Sequence, residues 1–249
     1  MSHMLDTCCA FYHCFKDKEA TTAVLREFRR HYPLATVHLI SDGGDDFADV
    51  AAEFGCVYYY ERRIGLQIKV GKDSLHEWLR RFERVCLECQ EDWLLVLEDD
   101  VLVRKPIHQP RHAIEGANLG HKLWWRPIWK YVHDRHPNLV NNGYGGGGGS
   151  LVNREKAIEA IRLYWERENF DAWKRMCRYV ASDIWLTVMF MAAGYQYGPC
   201  ADLVQTYFTP EWQTTNHAIV HARLPVSQLL QCDNKEDCSG ELLAALPVV

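Results

Sequence analysis

Residues 93–107 read WLLVLEDDVLVRKPI: five apolar residues run directly into Glu98, Asp99 and Asp100, and the chain then turns apolar again. An unbroken apolar run of that length is too short for a free-standing helix and fits a strand covered on both faces within a parallel sheet. Three adjoining carboxylates at its end are costly, because like charges raise one another's pKa until a proton, water or a cation relieves the repulsion. Fold and chemistry therefore both turn on what precedes this strand and on what faces its acids.

Upstream, the chain alternates between two periodicities. Leu5 to Phe11 predicts a strand, and Ala20 to His31 a helix with Val24, Leu25 and Phe28 at helical spacing, ended by Pro33. Thr36 to Ile40 predicts a strand running into SDGGDD, Phe47 to Phe54 a helix closed by Gly55, and Cys56 to Tyr60 a third strand. Ser74 and Glu77 have capping-box spacing, and Leu75, Trp78, Leu79, Phe82, Val85, Cys86 and Cys89 share one face of the helix that follows. The stretch 93–97 is then the fourth strand of an α/β unit with a mostly parallel central sheet flanked by helices. In such sheets ligands bind beyond the carboxyl ends of the strands. Asp42 follows the second strand and the three acids follow the fourth, so both fall on that face. Acids at two strand ends favour a metal or a hydroxyl-rich ligand.

Composition sets outer bounds. The chain has 249 residues, 48% hydrophobic and 24% charged, an ordinary balance for a globular protein with a sizeable core. The formal charge of -5 argues against a general nucleic-acid-binding surface. No apolar stretch approaches the ~18 residues of a membrane span. Met1 to Met4 (MSHM) reads as a cloning scar, and no signal-peptide pattern follows it, so the expected location is cytoplasmic. Ten scattered cysteines form no disulfide framework, and the expectation is reduced, buried thiols. Cys86 and Cys89 make the only C-x-x-C, inside a helical pattern and without a second pair to complete a zinc site.

Beyond residue 105 the rhythm changes. HKLWWRPIWKYVHDRH (121–136) is aromatic and basic, and Trp124, Trp125, Trp129 and Tyr131 suit either stacking on sugar rings or packing in the core. The glycine run NNGYGGGGGS contains Gly143, Gly145 and Gly148 in G-x-G-x-x-G spacing, without the Lys-Ser or Lys-Thr of a phosphate-binding loop. A plain glycine linker is one reading, but Asn153 suits a cap for the helix that follows, so the glycines abut ordered structure and predict a strand or turn where backbone approaches a ligand. Asp183 opens a further helix, and HAIVHARL (217–224) places His221 at the end of a short apolar strand.

The order of these features resembles the GT-A glycosyltransferases: an α/β nucleotide-binding half, an acidic motif of the "DXD" kind in LEDDV, a glycine-containing segment, a helix beginning with an acid, and a late histidine. The resemblance implies a single Rossmann-like GT-A domain, with residues 5–105 as the nucleotide-sugar-binding half, 106–225 as the acceptor-binding and catalytic half, and 226–249 as a tail. It implies that Asp100 and His221 hold Mn²⁺ or Mg²⁺, with His217 the alternative histidine, and that Glu98 and Asp99 lie by the ribose and the metal. Asp42 is then at the nucleobase, Lys72 and Arg223 at the diphosphate (Lys69 a further cation), and Trp124 and Trp125 at the acceptor. Asp183 is implied as the general base of an inverting transfer from a UDP- or GDP-sugar to a glycan, glycoprotein or small-molecule acceptor. An acid at that place is also an ordinary helix cap. Two other readings remain: a non-catalytic sugar- or nucleotide-binding module, which has no need of Asp183, and a metal-dependent phosphotransfer enzyme. A calcium loop at Asp42 to Glu53 is rejected, because Gly44 and Phe47 stand where a ligand and the turn glycine belong.

Overall fold

The structure is a computed structural model that describes residues 3–64, 71–117, 126–177, 181–205 and 216–221. Among these, a seven-stranded sheet has the order β3-β2-β1-β4-β7-β6-β8. Its first half is β1 (Cys9–Cys14), β2 (Val37–Ser41), β3 (Val57–Tyr60) and β4 (Trp93–Leu97), all parallel. β7 (Leu151–Asn153) is antiparallel to both β4 and β6 (Ile114–Gly116), and β8 (Tyr197–Pro199) returns parallel to β6. The expected mostly parallel central sheet flanked by helices is thus observed. A second, three-stranded sheet joins β5 (Val101–Val103), β10 (Ile219–His221) and β9 (Leu203–Gln205) in that order.

The central strands are covered on both faces, and period-2 geometry sorts their side chains. Cys9, Phe11, Leu94 and Val96 enter one core with α3 (Lys72–Glu88), α5 (Arg154–Arg167) and α7 (Ser182–Ala192). Ala10, Tyr12, Leu95 and Leu97 enter the other, with α1 (Lys18–His31), α2 (Ala48–Phe54) and the small sheet. The helices α4 (Arg126–His133) and α6 (Phe170–Met176) extend the first core.

Several boundaries differ from the sequence expectation. β1 is Cys9–Cys14, not Leu5 to Phe11. Its later polar residues are accommodated because Tyr12 and His13 find buried partners, while Leu5 donates its N–H to Ile107 outside the sheet. α3 starts at Lys72 from an extended Gly71 with no side-chain cap, so the Ser74 and Glu77 capping box does not form. The Gly71 carbonyl accepts the Leu75 N–H instead. Val101–Val103 does not prolong β4; it crosses into the small sheet. Residues His3 and Met4, set apart as a scar, meet the chain: Gln109 donates its N–H to His3 O, and Met4 bridges His108. Asn153 caps α5 by accepting the Lys156 N–H, and Gly55 closes α2 in the left-handed region, both as expected. The eight described cysteines are free, and all but Cys56 are buried. No helix among the described residues is long and apolar enough to cross a membrane.

Candidate metal centre

The three acids occupy a turn. Val101 donates its N–H to Glu98 O at 3.1 Å, which closes the corner and splits the side chains between two directions. Asp99 points to β1 and α1, where its Oδ1 accepts from Tyr12 Oη at 2.8 Å and Thr21 Oγ1 at 3.1 Å. Burial pushes the Asp99 carboxyl up to about 6, against the pull of those two donors. Glu98 and Asp100 point instead to β10. The antiparallel register of β10 on β5 sets His221 opposite Val101, next to Asp100. His221 Nε2 lies 3.3 Å from Asp100 Oδ2 and 3.9 Å from Glu98 Oε2. Together Glu98, Asp100 and His221 offer two carboxylate oxygens and a ring nitrogen, all within 4.8 Å of one another.

This donor set fits a hard or borderline divalent cation. Asp100 Oδ1 is buried and has no hydrogen-bond donor, a costly state that a bound cation would relieve. Burial, then the Asp100 charge, push Glu98 up to about 7, although the nearby His221 opposes the rise. The Glu98 side chain keeps 42% of its surface accessible, which leaves an ion a path of entry, whereas His221 is 8% exposed.

The glycine run forms the next wall. A Cβ added at Gly148 would lie 2.7 Å from Val101 Cγ2 and 3.0 Å from Glu98 Oε2, and one at Gly147 would lie 3.3 Å from Asp183 Cβ. The run is therefore bare backbone wedged between Glu98 and Asp183. Gly149, at φ +81°, turns the chain toward β7 and donates its N–H to Val96 O at the end of β4. Asp183 sits in the first turn of α7, whose cap residue, Ala181, makes no side-chain bond. Asp183 Oδ1 accepts the Ile184 N–H at 2.7 Å, so the carboxylate supports the helix start while standing across the glycines from Glu98.

The other residues that the sequence put forward lie elsewhere or outside the described residues. Asp42 is 5% exposed, and its Oδ1 accepts from Ile64 N–H at 2.8 Å and Arg81 Nη1 at 3.0 Å. Lys72 lies over the Phe170 ring, beside a cavity of about 170 Å³ lined by His76 and Tyr164. Trp129 and Tyr131 pack against the core, while Trp124, Trp125, Arg223 and Lys69 lie outside the described residues. Sequence reasoning missed Tyr12 and Thr21, and it missed Arg81, although an arginine on the apolar stripe between Trp78 and Phe82 signals a buried partner.

Tyr12→Phe removes one of two side-chain donors to a mostly enclosed carboxylate. The expected loss is about 1–3 kcal/mol of folding free energy, read by denaturant unfolding.

No protein-family model matches the chain, and no curated protein matches it. Among solved structures it is similar to an active-site mutant of LgtC, at 14% identity over 96% of this chain and 97% of that one, with a TM-score of 0.48. It is also similar to the apo structure of WbbM, a bifunctional glycosyltransferase, at 8% identity over 89% of this chain, with a TM-score of 0.45. The chain spans 46% of the WbbM chain.

Proposed function

We propose that the chain is a metal-dependent glycosyltransferase of GT-A type, moving a sugar from a UDP- or GDP-sugar to a hydroxyl acceptor with inversion. The observation that carries this reading is the buried, donorless Oδ1 of Asp100, in a carboxylate–carboxylate–imidazole cluster at the carboxyl end of a central parallel strand. Glu98, Asp100 and His221 would hold Mn²⁺ or Mg²⁺, which when bound neutralises charge on a departing diphosphate. Glu98, which the resemblance placed by the ribose and the metal, would be a direct ligand. Asp99 acts on the cluster indirectly, by anchoring the turn to Tyr12 and Thr21.

Gly147 and Gly148 bring Asp183 and Glu98 close to one stretch of backbone, because neither has a side chain to hold them apart. Asp183, beside that backbone, would take the proton of the attacking hydroxyl, the role a general base needs for direct displacement. Asp42, fixed by Arg81, bounds the nucleobase end of the donor site. Lys72 and Arg223 serve the diphosphate, and Trp124 and Trp125 the acceptor. A binding module without catalysis would share the metal cluster but would not need Asp183.

A thermal-shift panel of UDP-, GDP- and CMP-sugars, with and without Mn²⁺, tests the class. Stabilisation by one nucleotide only when metal is present is the expected result. No stabilisation by any nucleotide in either condition overturns it.

The raised Glu98 pKa gives the reading a pH dependence. Its folded value, about 7, lies above its ordinary 4.5, so the folded state holds the proton more tightly than the unfolded chain. Metal-free stability is then greatest below pH 4.5 as far as Glu98 is concerned, and this contribution is lost as pH rises toward 7. Metal must displace that proton, so metal affinity is expected to weaken by up to about tenfold per pH unit below 7 and to level off above it. Calorimetric Mn²⁺ titrations from pH 5.5 to about 8 check the slope.

A further inference from the structure

We propose that Cys9, Cys89 and Glu91 form a second metal site, apart from the acidic turn, for a thiophilic divalent cation of the zinc class. Cys9 opens β1, Cys89 caps the carboxyl end of α3, and Glu91 stands in the turn before β4. Their two sulfurs and a carboxylate oxygen all lie within 4.8 Å of one another. Tetrahedral coordination with metal–sulfur bonds of about 2.3 Å sets two sulfurs roughly 3.8 Å apart, inside that envelope. The C-x-x-C motif therefore supplies one ligand rather than two. Cys86 is outside the group, and its carbonyl accepts from the Cys89 thiol at 3.9 Å.

The surroundings have the character of a prepared site. The Glu91 carboxylate is fixed by the backbone N–H groups of Thr36 at 2.8 Å and Gln90 at 3.2 Å, the kind of outer support that orients a ligand. Glu91 is half-buried and gives an ion access, while Cys9 and Cys89 are 0% and 1% exposed. Arg154 Nε is buried without a hydrogen-bond partner. Two thiolates and one carboxylate would be balanced by a divalent cation together with that guanidinium. On binding, both thiols release their protons to solvent, the two sulfurs and the carboxylate oxygen bond to the ion, and water completes the fourth position. Soft sulfur ligands select the zinc class over Mg²⁺ or Ca²⁺. The site lies at the amino end of β1, where Cys9 is paired with Leu94 at the start of β4, the end of the sheet opposite the acidic turn.

The test uses the whole chain, reduced and stripped of metal, with Cd²⁺ as probe and thiolate-to-cadmium charge-transfer absorption as readout. The expected result is one equivalent of Cd²⁺ that gives a two-thiolate band and releases about two protons, counted in Asp100→Ala so that the acidic cluster does not contribute. The band persists in Cys86→Ser and Asp100→Ala and is lost or halved in Cys9→Ser and Cys89→Ser. Because either serine variant can fail to fold, Glu91→Gln provides a milder check, with an expected loss of at least about tenfold in affinity. The proposal is overturned if excess Cd²⁺ gives no charge-transfer band, if the band survives in folded Cys9→Ser, or if Asp100→Ala alone abolishes it.

Discussion

Asp100→Ala should abolish metal-dependent donor binding and leave the fold intact. The substitution removes the donorless buried oxygen and the carboxylate 3.3 Å from His221, so Glu98 and His221 remain as two ligands that no longer enclose an ion. Outer-shell changes alone cost roughly 10–100-fold in metal affinity, and loss of a direct ligand should exceed about 100-fold. Stability in the absence of metal should hold or rise slightly, because a like charge beside Glu98 is gone. Calorimetry with Mn²⁺, with and without donor, reads the first effect, and thermal unfolding reads the second. Unchanged metal affinity would rule Asp100 out as a ligand.

Asp183→Asn is expected to cost turnover rather than binding. The amide keeps the size of the side chain and an oxygen that can accept the Ile184 N–H, so the start of α7 should persist. What it loses is basicity, and a positioned general base contributes about 10² to 10⁴ in rate. The expected outcome is a fall in kcat of that order with donor and metal affinity near those of the unmodified chain. NMR of the anomeric proton of the product gives the companion measurement. Retention of configuration, or full activity in the amide variant, would remove Asp183 from the mechanism without touching the metal cluster.

Much of this architecture was legible because it follows from local periodicity. The apolar run 93–97, the helical stripes of α1 and α3 and the Gly55 and Asn153 end signals depend on neighbours in sequence, and each is observed. The pairing of Asp100 with His221 was suggested only by the order of features in a resembling family, since nothing local marks a three-residue strand as the partner of β5. The division of labour within Glu98–Asp99–Asp100 was not legible at all. It depends on the turn at Val101 and on Tyr12 and Thr21 drawing the middle acid aside, contacts that span 78 to 87 residues. The early end assigned to β1 has the same origin, because Tyr12 and His13 look too polar for a buried strand until their distant partners are known.

The pairing of β10 with β5 also has a bearing on how the molecule is held together. Two ligands of the proposed catalytic cluster leave the chain within one turn, but the third arrives about 120 residues later, on a strand of three residues. The described residues between fold into β6 to β9 and α4 to α7, and β10 is held by three-residue ladders to β5 and β9. An ion held by the proposed cluster would clasp Ile219–His221 to the turn after β4, and the cluster is complete only where that strand is paired with β5. Removing the ion would then loosen β10 as well as the cluster.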